Sequence, residues 1–226
     1  MSIDTEQLRA SLTPENKIGE GVYREVYRFG DKAVKVQKPL YTKRYFGIKI
    51  FTIPTGQYTR IKFGTPDSNL HEYRNYAFLC SQIPSELKES FAQIHDLVQV
   101  DDRSALICEL VKNHDGSSAR PLDFYSLVRA DERAFWERWG DLERFLLGHD
   151  LLLTDVRPKN VMVRWRSDGS IIPVLVDYKY LGAQCCLFQP DLLLRSGRVN
   201  RVKRRFSRIR EQYQHGVRRE SSLYRI

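Results

Sequence analysis

Leu151-Leu-Leu-Thr-Asp-Val-Arg-Pro-Lys-Asn160 is the stretch on which the reading of this 226-residue chain turns. An apolar run delivers Asp155, and Asn160 follows five positions later across Arg157-Pro158. A second apolar run, Ile171-Ile-Pro-Val-Leu-Val176, then ends in Asp177. Two carboxylates and an amide at strand ends are the groups needed to activate a hydroxyl and hold magnesium beside a triphosphate. Asp and Asn beside Pro are also favoured as turn formers. That alternative explains one residue of the three, but not two apolar strands bracketing the arrangement.

Upstream, Gly19-Glu-Gly21-Val-Tyr-Arg-Glu-Val26 has the Gly-x-Gly-x-x-x-x-Val form of a nucleotide-covering loop, in which glycine lets backbone approach phosphate oxygens closely. A plain hairpin turn needs the same glycines. A dinucleotide-binding turn fits less well, because a strand pattern follows instead of a helix. Arg24 occupies a position where a third glycine is common. Lys35, in Ala-Val-Lys-Val fourteen positions after Gly21, suits an ammonium that neutralises the α- and β-phosphates; otherwise it is a lysine on a solvent face. Glu72, on a helical stretch, is the carboxylate that could pair with Lys35, or else a solvated charge.

Short β-type runs fill residues 17–37, with a turn at Gly30-Asp31, and the spacing of residues 38–69 predicts an inserted hairpin whose strands are 45–51 and 58–63. A helix is expected over 71–79 with Asn69 as its cap, followed by strands 92–99 and 105–111 around an Asp101-Asp102-Arg103 turn. Apolar residues from Phe135 to Leu147 recur at three- and four-residue steps, which predicts a helical block within 121–149. Strands 160–165 and 171–177 follow, and from Leu187 the pattern is helical and increasingly basic.

Together these residues resemble the protein-kinase-like superfamily over 17–180. Ile18-Gly-Glu-Gly, Arg157-Pro-Lys-Asn160 and Ile172-Pro-Val-Leu-Val-Asp177 are similar to the YrbL family of short bacterial kinase-like proteins. The resemblance implies an α+β, two-lobed protein-kinase-like fold with a β-rich N-lobe (17–111, carrying the 38–69 insertion) and a shortened helical C-lobe (112–194). A basic helical tail (195–226) completes a single kinase-like domain. By the same resemblance Gly19, Gly21, Val26, Lys35 and Glu72 would serve ATP. Glu109 and Val111 would form the hinge strand whose backbone pairs with adenine, and Asn160 and Asp177 would hold Mg2+. Asp155 would act as base or orienting carboxylate, with Arg157 on the transferring phosphoryl group.

The implied activity is transfer of the ATP γ-phosphate to a hydroxyl of a small molecule, lipid sugar or protein. The alternative is a pseudokinase-type binding module whose basic tail meets an anionic partner. Three departures bear on the choice. Leu153-Thr154 replaces the usual His-Arg, Asp177-Tyr178-Lys179 lacks the usual glycine, and no Ala-Pro-Glu segment follows. The short second lobe favours a small-molecule or lipid-sugar acceptor, or no acceptor, over a peptide.

Composition narrows the field further. The formal net charge is +9, and Arg195–Ile226 alone carries eleven Lys or Arg against two Glu, so residues 1–194 are neutral. A positive tail suits nucleic acid, an anionic membrane or an acidic partner. The stripe Val202, Phe206 and Ile209 equally suits a terminal helix packed onto the domain, and no nucleic-acid reading module is evident. No apolar run is long enough to span a membrane and no signal peptide is evident, so a cytoplasmic setting is expected. Cys80, Cys108, Cys185 and Cys186 lack zinc spacing and make a poor disulfide framework.

Overall fold

The computed structural model describes residues 3–45, 48–125, 132–149, 151, 155–178 and 194–214. The chain divides into two compact units. The described residues of the first lie within Met1–Gln82 and Ala92–Leu110.

An antiparallel five-stranded sheet, in the order β1-β2-β3-β7-β6, forms this first unit. Its strands are β1 (Lys17–Glu20), β2 (Arg24–Phe29), β3 (Lys32–Gln37), β6 (Ile94–Val100) and β7 (Arg103–Glu109). The β2–β3 turn places Gly30 at φ 60°, and the β6–β7 turn places Asp101 at φ 54°, left-handed positions that Gly and Asp tolerate best. Side chains alternate across a strand. Val34 and Val36 therefore join Tyr27, Val100, Ala105 and Ile107 on one face, closed over by Leu8 of helix α1 (Thr5–Ser11). Ala33, Leu106 and Cys108 form the core of the other face, and that periodicity gives Lys35 the same side as Ala33. Helix α3 (Ser68–Cys80) packs on β3, β6 and β7.

Between β3 and α3 lies the insertion, and here the expectation needs correction. The hairpin exists, but it is β4 (Leu40–Tyr45) paired with β5 (Ile48–Pro54); Thr55–Phe63 is helix α2. Pro54 caps the start of α2, and Gly64 at φ 72° ends it. Thr55 and Thr59, one helical turn apart, are both fully buried. Tyr58 stacks on Tyr41 at 3.9 Å between ring centroids, so burial at helical spacing overrides the short alternating pattern. The cap of α3 is likewise corrected. Asp67, not Asn69, accepts hydrogen bonds from the Asn69 and Leu70 backbone N–H groups at 2.8 and 3.1 Å.

The second unit draws on Ile83–Phe91 and on residues after Leu110. A three-stranded antiparallel sheet, β10-β9-β8, consists of β8 (Arg120–Pro121), β9 (Val161–Trp165) and β10 (Ile171–Leu175). Helix α4 (Arg133–Gly148) packs on β10 and buries Phe135, Trp136, Trp139, Leu142, Phe145 and Leu146. It starts later than the expected block: 121–125 form β8 and a single tight helical turn over Leu122–Phe124, while 126–131 fall outside the described residues. Helix α5 (Arg195–Tyr213) sets Val202, Phe206, Ile209 and Tyr213 into this core. Phe206 meets Trp139 at 4.5 Å between centroids, and the Trp139 indole N–H donates to the Phe206 carbonyl at 3.4 Å. The described part of the basic tail is therefore a docked helix. Among the described residues no helix is long and apolar enough to cross a membrane. Cys80 and Cys108 are free thiols; Cys185 and Cys186 lie outside the described residues.

The described residues are α+β, with a sheet-rich N-terminal part and a helical C-terminal part.

Candidate active site

The sequence candidates form two polar clusters, one in each unit. In the first, the Lys35 ammonium on β3 donates to Glu72 Oε1 on α3 at 2.6 Å, with side chains 10% and 0% exposed. The other Glu72 oxygen, Oε2, is held by Arg24 of β2, which is also buried. Arg24 donates as well to Asn69 Oδ1 at 3.2 Å. The Asn69 amide turns its Nδ2 toward the Lys35 carbonyl at 2.8 Å and the Ser104 carbonyl at 2.9 Å, and the Ser104 hydroxyl donates to the Asp67 cap at 2.8 Å. A continuous network thus ties the start of α3 to three strands. Charges removed from water are tolerated only when paired and hydrogen-bonded, and here two cations share one fully buried carboxylate. Arg24, Asn69 and Ser104 were not singled out as site residues from the sequence. The available signal was the arginine standing at a glycine position.

Gly19 pairs with Val26 across β1 and β2, and the Gly21 N–H donates to the Arg24 carbonyl at 2.8 Å, closing the loop. A Cβ added at either glycine would meet nothing nearer than 3.6 Å, and neither φ is left-handed. The hairpin's own packing and backbone angles therefore do not demand glycine at either position.

Of the expected hinge residues, the Glu109 N–H donates to the Gln93 carbonyl at 2.8 Å, and its carboxylate accepts from the Gln93 N–H at 3.0 Å. The Val111 carbonyl accepts from the Ala119 N–H at 2.9 Å, and Val111 is buried. Those backbone groups are engaged within the protein.

In the second unit Asp155 sits in an extended segment anchored by buried Val156 and followed by a tight helical turn, Pro158–Asn160. Arg157 Nε lies 2.7 Å from Asp155 Oδ1, and Arg205 Nη1, from α5, lies 3.5 Å from the same oxygen. Asn160 Nδ2 donates to the Asp155 carbonyl at 2.9 Å and lies 3.4 Å from Asp177 Oδ2. The Val176 N–H, beside Asp177, donates to the Asn160 carbonyl at 3.2 Å. Asp155, Asn160 and Asp177 are thereby brought together, with Arg157 beside them. With Asn160 Nδ2 directed at the Asp155 carbonyl, Oδ1 is the atom able to ligate. One carboxylate and one amide oxygen fit magnesium, which keeps waters and takes further ligands from phosphates. No group of three or more His, Cys, Asp or Glu able to enclose a metal occurs among the described residues. Arg205 was missed from the sequence. Burial, followed by the repulsion of Arg157 and Arg201, pushes its guanidinium down to about 10 despite Asp155, so it stays charged at neutral pH. Leu153 and Thr154, at the usual His-Arg position, lie outside the described residues.

Residues 10–214 match the family model described as PhoP regulatory network protein YrbL. Among solved structures, one titled "PpkA-294 apo form" is similar at 15% identity and a TM-score of 0.47. The similarity covers 79% of this chain and 62% of that chain, so this protein spans less than two thirds of that length. No curated protein matches the chain.

Proposed function

The chain belongs to the PhoP regulatory network protein YrbL family, and from that premise we propose that it transfers the γ-phosphoryl group of ATP to a hydroxyl acceptor with the help of Mg2+. In this reading the Gly19–Gly21 loop and Val26 cover the nucleotide, while Lys35, oriented by Glu72, neutralises α- and β-phosphate charge. Glu109 and Val111 border the adenine. Asn160 and Asp177 hold the metal, which when bound takes up charge on the phosphate oxygens.

Asp155 orients the acceptor and takes its proton. The acceptor oxygen forms a bond to Pγ, the bond from Pγ to the β–γ bridging oxygen breaks, and ADP leaves. Arg157 faces the charge that develops on the transferring group. ATP as donor favours a cytoplasmic setting.

The observation that carries this reading is the grouping of Asp155, Asn160 and Asp177, held by the Asn160 amide at 2.9 Å from one backbone carbonyl and 3.4 Å from the Asp177 carboxylate. A simple turn former would not tie a second strand end to the first.

Thermal denaturation with and without ATP and Mg2+ tests it. The melting temperature should rise with both present, and Lys35→Met should remove the rise. A wild-type protein that ATP and Mg2+ leave unmoved would overturn the enzyme and favour the binding module.

A further inference from the structure

In the second unit two guanidinium groups meet at one carboxylate, Asp155. Arg157 and Arg205 converge on one oxygen, Oδ1, at 2.7 and 3.5 Å. The longer separation is that of an ion pair and not of a charge-assisted hydrogen bond, which runs to about 2.7–2.9 Å. Arg205 Nη1 is buried and makes no hydrogen bond among the described residues. Arg201 stands one helical turn before Arg205, close enough to disfavour its charged state.

Arg205 did not arrive there on a loose side chain. It lies between Val202 and Phe206, both fully buried, on a helix anchored by four apolar residues. Holding a second guanidinium near a site that already has Arg157 is unfavourable by repulsion and by desolvation. A ligand anion relieves both. The cluster is also reachable, since Arg157 is 46% exposed while Asp155 and Arg205 are 14% and 20% exposed.

We propose that Arg205 and Arg157 form an anion-binding subsite beside Asp155, so that the hydroxyl to be phosphorylated belongs to a molecule already bearing a phosphate or carboxylate near that hydroxyl. This rests on the phosphotransfer reading for the meaning of Asp155; the anion subsite itself does not. Arg157 presents the fork for bidentate contact, and Arg205 adds a fixed, poorly hydrated charge at the base of the site. The tail helix then acts as a specificity element of the enzyme.

Calorimetric titration of the full chain with inorganic phosphate and with glycerol 3-phosphate, which pairs a phosphate with a hydroxyl, tests the subsite. Both should bind, with glycerol 3-phosphate tighter, and affinity should fall as salt rises. Arg205→Ala should weaken both at least tenfold and Arg205→Lys should recover part of the loss. Lys35→Met should leave both unchanged, which separates the subsite from the nucleotide phosphates.

If Arg205→Ala does not fold, Arg205→Met, which keeps the apolar stem, replaces it. Unchanged phosphate affinity in a folded Arg205 variant, or loss in Lys35→Met instead, overturns the proposal. Arg205-dependent phosphate binding in a protein that ATP and Mg2+ do not stabilise overturns the phosphotransfer reading alone.

Discussion

Lys35 and Glu72 are 37 positions apart in the chain and 2.6 Å apart in the fold, and the other oxygen of the Glu72 carboxylate is held by Arg24. Glu72 is the buried carboxylate on which both cations converge. Its two cationic partners are therefore not equivalent to it in what their removal does.

Glu72→Gln should destabilise the protein by about 3–5 kcal/mol, because both buried cations would lose the carboxylate they share. For a domain of this size that is a fall of roughly 6–20 °C in melting temperature. Lys35→Met should move the melting point far less, since Arg24 still pairs with Glu72, yet it should abolish stabilisation by ATP. Differential scanning calorimetry of both variants checks the asymmetry; equal losses would contradict it.

Asn69→Ala should cost about 1–3 kcal/mol by removing its buried hydrogen bonds to the Lys35 and Ser104 carbonyls and to Arg24. Urea unfolding followed by circular dichroism measures this. An Asn69→Ala midpoint matching the wild type would mean the network contributes no net stability.

Asp155→Asn should leave the ATP-induced melting shift intact while lowering phosphate transfer by orders of magnitude, since an amide cannot take the acceptor proton. The readout is ADP release with an acceptor such as glycerol 3-phosphate. Turnover that survives the change would remove Asp155 from the mechanism.

Phe206→Ala should cost about 3–5 kcal/mol, because the ring is fully buried against Trp139. By loosening α5 it should also weaken phosphate binding in parallel with Arg205→Ala. Denaturant titration with calorimetry on the same sample checks both effects. A tail helix unconnected to the site would show the first loss without the second.

Much of this architecture was legible before any coordinates. The strands of the first sheet announce themselves because alternation and turn chemistry are local: Gly30 and the Asp101-Asp102 turn need only their own backbone angles. Helix α4 does so because its apolar stripe repeats over sixteen residues. Tyr58–Phe63 misled because six residues are too few to separate a period of two from one of 3.6. Asn69 misled because Asn and Asp both cap helices, and Asp67 stood two positions earlier.

The residue types that could perform phosphoryl transfer, and their order, were therefore written in the chain: Lys35, Glu72, Asp155, Asn160 and Asp177. Folding alone decided that Arg24 turns inward to share Glu72, that Asn69 bridges a helix and three strands, and that Arg205 reaches Asp155 across fifty positions. Those partnerships depend on which faces of distant elements are pressed together when apolar stripes are buried. A buried charge then takes whatever countercharge that packing brings within reach, and no local spacing rule encodes it.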